Sequence, residues 1–163
     1  MKLSPHLLAA ALALLASGSA LAEVSVSYIK PEEFSDMPFS PRDREQLLKE
    51  LSAHFAHMGQ QLPAGQVLKI EVLDVDLAGR LYPRYSGPED LRVLRGGADW
   101  PHMRLHFTLE QDGKLLRSGE AQLSNMMYQE RMNRYSGTDS LRYEKQMLDD
   151  WFAQEFLRTK GHS

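Results

Sequence analysis

The stretch LKIEVLDVDLAG, residues 68–79, decides the fold. Leu68, Ile70 and Val72 alternate with Lys69 and Glu71, the period of a strand with one face covered and one face wet. Past Val72 the phase reverses. Leu73, Val75 and Leu77 become the apolar set, and Asp74 and Asp76 stand where apolar residues stood before. A period-2 pattern changes phase where an extra residue enters the strand or where the second face is also covered. A bulge between Val72 and Asp74 is therefore expected, or an extension of the strand beneath the loop that follows. Ala78-Gly79 ends the strand.

Residues 80–98 (RLYPRYSGPEDLRVLRGGA) are rich in Gly, Pro and Arg and exceed the roughly 12–15 residues of ordinary connections, and long ordered loops are disproportionately functional. Within them Pro88 to Leu91 suits a short helical turn, and Arg92 to Leu94 a short edge strand before the Gly96-Gly97 turn. After Trp100-Pro101 a second long strand has Met103, Leu105, Phe107 and Leu109 on one face and Arg104, His106, Thr108 and Glu110 on the other. Its partner, Lys114 to Ser124, returns after Gln111-Asp112-Gly113. Apolar pairing favours a three-residue loop with Gly113 left-handed, which sets Leu109, Leu105 and Met103 against Leu115, Gly119 and Ala121 and leaves Arg117 opposite Phe107.

On the N-terminal side, Glu23 to Ile29 alternates as a strand with Val24, Val26 and Tyr28 on one face, and Lys30-Pro31 ends it. The segment 31–39 reads as a loop pinned by Phe34, Met37 and Phe39. Ser40-Pro41 starts a helix, because a serine oxygen caps free amides and proline loses nothing at the first helical position. Its apolar stripe is Leu47, Leu48, Leu51, Phe55, Met58 and Leu62. His54 falls at the edge of that stripe and His57 off it, so the pair reads as an interface histidine and a solvated one rather than as metal ligands. Residues 125–138 suit a loop or short irregular helix. A last helix capped by Asp139 or Ser140 should run from Leu141 to about Thr159, with Leu141, Leu148, Trp151, Phe152 and Phe156 inward and Gly161 as its stop. Glu144 and Glu155 project near that face, with Arg117, Arg104 or an arginine of the long loop as partners.

The resulting order, β-α-β-loop-β-β-α, is that of an α+β two-layer sandwich. A mostly antiparallel sheet of about four strands carries two helices on one face. A single domain is expected over residues 23–163. The first 22 residues read as a cleaved signal peptide: Lys2 is a positive start, Leu7 to Leu15 an apolar run far short of the roughly 20 residues of a membrane span, and Ala20-Leu21-Ala22 a small-x-small cleavage site. No cysteine follows to carry a lipid, so a periplasmic or secreted protein without a stable membrane anchor is expected. Removing Lys2 from the 19 Lys and Arg leaves 18 against 22 Asp and Glu, a formal charge of −4, which argues against nucleic acid as a partner. With no cysteine in the chain, disulfides, thiol catalysis and Cys-ligated zinc are excluded, and packing alone must hold the fold.

The segments LDVDLAG, RVLRGGADWPHMRL, LSNMMY and LRYEKQMLDDWF resemble the bacterial exported family known as domain of unknown function 3016. The resemblance spans essentially the mature chain and implies an exported one-domain protein. It brings no activity, cofactor or catalytic residue with it.

Two constellations bear on function. Asp74 and Asp76, two residues apart on a strand, can share a divalent cation or do acid/base work with Asp99 or His102. Alternatively they end a strand, take loop amides and pair with Arg80, Arg92 or Arg95. The loop residues Arg80, Arg84, Arg92 and Arg95 with Tyr82, Tyr85 and Trp100 can form an aromatic and cationic surface for an envelope protein, a peptide or a glycan. No EF-hand spacing, HExxH, GxSxG, Walker loop or dinucleotide fingerprint occurs. The expectation is a non-enzymatic binding or envelope-accessory module without cofactor, its binding edge drawn from Asp74, Asp76, Arg80, Tyr82, Arg84, Arg92, Arg95, Asp99, Trp100 and His102. A metal-dependent hydrolase using the clustered aspartates is the alternative. Geometry separates the two: three carboxylates converging in an open cleft favour metal, and ties to arginines or backbone amides favour binding.

Overall fold

The computed structural model describes residues 21–82 and 91–158. Most of the expected leader, Arg84, Tyr85, most of the turn expected from Pro88, and Thr159 lie outside them. The elements are β1 (Glu23–Tyr28), α1 (Pro41–Gly59), β2 (Gln66–Asp76), β3 (Arg80–Tyr82), β4 (Leu91–Val93), β5 (His102–Gln111), β6 (Lys114–Ser124) and α2 (Arg142–Phe152). Four strands form one sheet in the order β1-β2-β5-β6, and β3 and β4 form a separate two-stranded ribbon. Among the described strands only β1 and β2 run parallel, joined by α1 as the crossover helix, while β5 and β6 continue antiparallel. The architecture is the expected α+β sandwich.

The core lies between the sheet and the two helices. Leu68, Ile70 and Val72 of β2 face Leu109, Phe107 and Leu105 of β5 across the ladder, and this layer meets Leu51, Phe55 and Met58 of α1 and Leu148 and Phe152 of α2. Each such side chain, when fully buried, contributes about 1.5–3 kcal/mol relative to exposure. Ser40 caps α1 through Oγ, which accepts from the Asp43 amide at 3.4 Å. His54 is buried at the helix–helix contact, its Nε2 3.0 Å from an Asp149 oxygen, and His57 is exposed. Asp149 also accepts from the Tyr135 hydroxyl.

The ladder between β2 and β5 shifts between Val72 and Asp74, so Leu73 is the extra residue of the expected bulge. Its consequence is a change of face. Val75, opposite Met103, returns to the core, while Asp74 and Asp76 stand opposite Arg104 and His102 on the open side of the sheet.

Two expectations need correction. The β5–β6 turn is a two-residue Asp112-Gly113 turn, both residues at positive φ (51° and 74°), with Gln111 opposite Lys114. The apolar register is restored by a bulge rather than by a longer loop: Glu110 faces Leu115 and Leu109 faces Arg117, leaving Leu116 unpaired. Phe107 is then opposite Gly119, not Arg117. The second correction concerns the last helix, which starts at Arg142 with Leu141 rather than Asp139 or Ser140 at its N-cap and no side-chain cap, is regular only to Phe152 and passes into a π-helical turn over Ala153–Leu157. The wider turn seats Phe156 against Phe107, Trp151 and Phe152, with ring centroids 5.0–5.5 Å apart, and Arg117 bonds the Glu155 backbone and side chain.

Candidate functional site

Where β2 ends, Gly79 turns the chain away from the sheet at φ +80°. A Cβ there would stand 2.5 Å from the Val93 carbonyl oxygen, so only glycine allows β3 to start beside β4. The ribbon that follows is held at its root by polar groups. The Ala78 amide donates to Oε1 of Glu144 at 2.7 Å. The Ala78 carbonyl accepts from Arg92 at 3.1 Å, and the same guanidinium pairs with Asp36 at 2.7 Å. Glu144 is almost wholly buried in α2. Burial raises its carboxyl above the usual range, and the Ala78 amide only partly opposes that.

The second anchor is Asp99. One oxygen accepts from the Arg95 amide at 2.7 Å, and the other from the Gly97 amide at 3.1 Å and the Tyr128 hydroxyl at 2.9 Å. Its backbone carbonyl accepts from the Gly79 amide at 2.8 Å. Partial desolvation pushes the Asp99 carboxyl up, but these hydrogen bonds outweigh it and hold the group below the ordinary carboxylate value. Tyr128, raised to about 12 mainly by burial, packs edge-on to Tyr143 at 4.7 Å. With Ala78 they form a small second core, against which Leu94 and Trp100 rest.

The residues singled out from the sequence thus separate. Asp74 is engaged by the Ser35 amide and hydroxyl, both at 2.8 Å. Asp76 lies 3.7 Å from His102 Nδ1, and its carboxyl is raised first by burial and then by the like charges of Asp36 and Asp74, against the opposing pull of His102. With Arg80 and Asp99 it lines a shallow polar cavity of about 300 Å³. Arg95 reaches the Tyr82 hydroxyl at 3.0 Å and lies over its ring at 5.8 Å on the outer surface. Trp100 stacks at a tilt on His102, 5.5 Å between ring centroids. Arg92 pairs with Asp36 and Arg95 with Tyr82, rather than either with Asp74 or Asp76 as the sequence suggested. No group of three His, Asp or Glu residues among those described is placed to hold a metal ion.

A larger groove of about 420 Å³ opens on the other side of Arg92, between α1, the ribbon and the start of α2. Its floor and walls include Leu47, Leu77, Leu81, Leu94 and Leu141. Residues Asp43, Gln46, Leu47 and Glu50 recur at three- and four-residue spacing and so share the α1 face that lines it. Sequence reading missed that face because it followed the longer apolar stripe into the core. It also missed Asp36, whose role depends on a contact 56 positions away.

No helix among the described residues is long and apolar enough to cross a membrane. No curated protein matches the chain. A crystal structure of a Xanthomonas campestris protein of the DUF330 family is similar at 14% identity over 83% of this chain and 80% of that one, with a TM-score of 0.38. A minor lipoprotein from Acinetobacter baumannii is similar at 16% identity over 81% of this chain and 87% of its own, with a TM-score of 0.21. Likenesses at these scores carry nothing over to this chain. The family model described as protein of unknown function, DUF3016, matches residues 22–154, from the start of β1 through α2, and the chain belongs to that family.

Proposed function

We propose that the protein is an exported, non-enzymatic binding module of the bacterial envelope that takes an envelope protein or peptide on the face built by the β3–β4 ribbon and the 95–102 turn. The observation that supports this reading is the anchoring of the ribbon root: a nearly fully buried carboxylate, Glu144, holds the Ala78 amide while Arg92 holds the Ala78 carbonyl. A short ribbon outside the main sheet would otherwise be marginal. Fixing it with hydrogen bonds from these side chains gives a surface whose shape is set before a partner arrives, which lowers the ordering cost of binding. The leader-like first 22 residues support export.

Binding fits better than metal-dependent hydrolysis by Asp74, Asp76 and Asp99. Asp74 and Asp99 are engaged by backbone amides and hydroxyls rather than turned to a common point. The test is a pull-down from envelope extract with the wild type and with a variant whose 80–98 loop is exchanged for a short turn. Partners captured by wild type and lost by the variant are expected. A loop-exchanged protein that keeps every partner refutes the reading. A thermal-shift screen of divalent cations runs beside it, and a cation-dependent rise abolished by Asp76→Asn would favour the hydrolase.

A further inference from the structure

We propose that the 420 Å³ groove between α1, the ribbon and the start of α2 is a peptide site. Its ligand is an extended apolar segment bearing a lysine or arginine, with the basic group against Asp43 and Glu50. The inference rests on the binding-module reading above and names a ligand class for the side of the ribbon that faces α1 and α2. The volume lies within the roughly 300–1,000 Å³ of ligand clefts. Leucines from five different elements or connections converge there, which suits aliphatic side chains.

Charge selects among apolar ligands. Both arginines of the groove are already engaged, Arg92 with Asp36 and the Ala78 carbonyl, and Arg142 with the Gly137 carbonyl and the Tyr143 hydroxyl. Asp139 is paired with Lys145 at 2.7 Å. Asp43 and Glu50, on the α1 wall, have no cationic partner among the described residues, Glu50 accepting only from Gln46 at 2.9 Å. Arg142, bonded only to neutral acceptors, keeps one positive charge, and set against it the two unpaired carboxylates leave the groove acidic by one charge, concentrated on the α1 wall, which disfavours an anionic polymer and attracts a cation there. A glycan fits poorly, because the one aromatic ring lining it among the described residues, Tyr143, is already covered by the Arg142 guanidinium at 4.5 Å and met by Tyr128 edge-on. The peptide is taken as extended because β3 and β4 pair only with each other among the described residues, which leaves the ribbon outer edges to accept a strand.

The test uses the full-length protein and three labelled ten-residue peptides: alternating leucine and lysine, the same with glutamate for lysine, and the same with serine for leucine. Fluorescence anisotropy should show binding of the leucine–lysine peptide, and about tenfold weaker binding or none for the other two. Methyl resonances of Leu47, Leu81 and Leu94 should shift on its addition. The double variant Asp43→Asn, Glu50→Gln should bind it about five- to tenfold more weakly with an unchanged melting temperature, since both groups lie at the surface. Equal affinity for the lysine and glutamate peptides, or binding unaltered by both the double variant and Leu81→Asp, overturns the groove. If the envelope pull-down stays loop-dependent while the double variant captures the same partners, the groove falls and the module stands. If the loop-exchanged protein keeps every partner, the module falls whatever the peptides do.

Discussion

Between the main sheet and the helices, Leu68, Val72 and Leu105 of the strands and Leu148 of α2 are wholly buried among other apolar side chains, and the layer closes by packing. A few residues past the end of β2, the ribbon has only three residues in each strand and a second core of Ala78, Tyr128 and Tyr143. There the same task falls to Glu144, Arg92 and Asp99, each fixing backbone groups at short distance. The difference is one of failure mode. A packed layer loses stability in proportion to the volume removed, whereas a polar anchor is lost in one step when its single partner is removed. A site placed on the second kind of structure can be loosened locally while the domain stays folded.

Leu105→Ala breaks the comparison on the packed side and has the largest expected effect. Leu105 has no exposed surface and sits between Val72 and Ala121 in the ladder. Its truncation should lower the unfolding free energy by about 2–5 kcal/mol in urea denaturation, with the ribbon amides affected only as the whole domain is. Glu144→Ala comes next, at about 1–3 kcal/mol, because the buried Ala78 amide loses its acceptor. Its signature is local: amide exchange at Ala78 and Gly79 should accelerate more than exchange in β2 and β5. Glu144→Gln keeps an acceptor and should recover most of the loss. If Gln and Ala prove equally damaging, the hydrogen bond is not what holds the ribbon.

The sequence showed the packed half well, and for a physical reason. Period-2 and three-to-four spacing report burial directly, so Leu68 to Val72, Met103 to Leu109 and the Leu51-Phe55-Met58 stripe could be placed, and the phase change at Leu73 located the bulge. The β5–β6 turn was misread because apolar pairing can be restored in two ways. The chain uses a short Asp-Gly turn and a bulge at Leu116, where counting pairs suggested a longer loop. The ribbon half was much less legible. Arg92 could not be matched to Asp36 rather than Asp74, nor Glu144 to the Ala78 amide, because a single polar contact between distant positions leaves no periodic trace. Asp99 was singled out, but as a ligand; in the fold it first shapes the loop that carries it.

Two carboxylates of α2 extend the comparison to pH, with opposite signs. Burial raises Glu144 above its ordinary value of 4.5, so its protonated form is favoured in the folded state. Its contribution is fully present below that value and is lost as pH rises toward the folded one. Burial also pushes Asp149 up, but hydrogen bonds from His54 and Tyr135 bring it below its ordinary 3.8. Its contribution is present above 3.8 and is lost as pH falls through the folded value. Unfolding free energies from pH 3 to 8 should therefore show Glu144→Gln gaining on wild type as pH rises, and Asp149→Asn losing its deficit as pH falls. Parallel curves for the two variants would mean that the environments of these groups do not differ in the folded state.

Asp99→Asn should have the smallest effect on global stability and the most informative one on the site. An asparagine keeps one acceptor oxygen, so only part of the set from Arg95, Gly97 and Tyr128 can be satisfied. Because the side chain is near the surface, the global cost should stay below about 1 kcal/mol, within the range of a single exposed hydrogen bond. The 95–99 turn, however, also carries the Asp99 carbonyl that receives the Gly79 amide, and so is tied to the start of β3. Backbone amide exchange at Arg95, Gly97 and Gly79 should rise together while exchange in β5 is unchanged. Tyr128→Phe, which removes one of the three donors and leaves both amides, should produce the same pattern at lower amplitude. If Gly79 stays protected in both variants while Arg95 and Gly97 open, the turn and the ribbon are separate units, and the ribbon root depends on Glu144 and Arg92 alone.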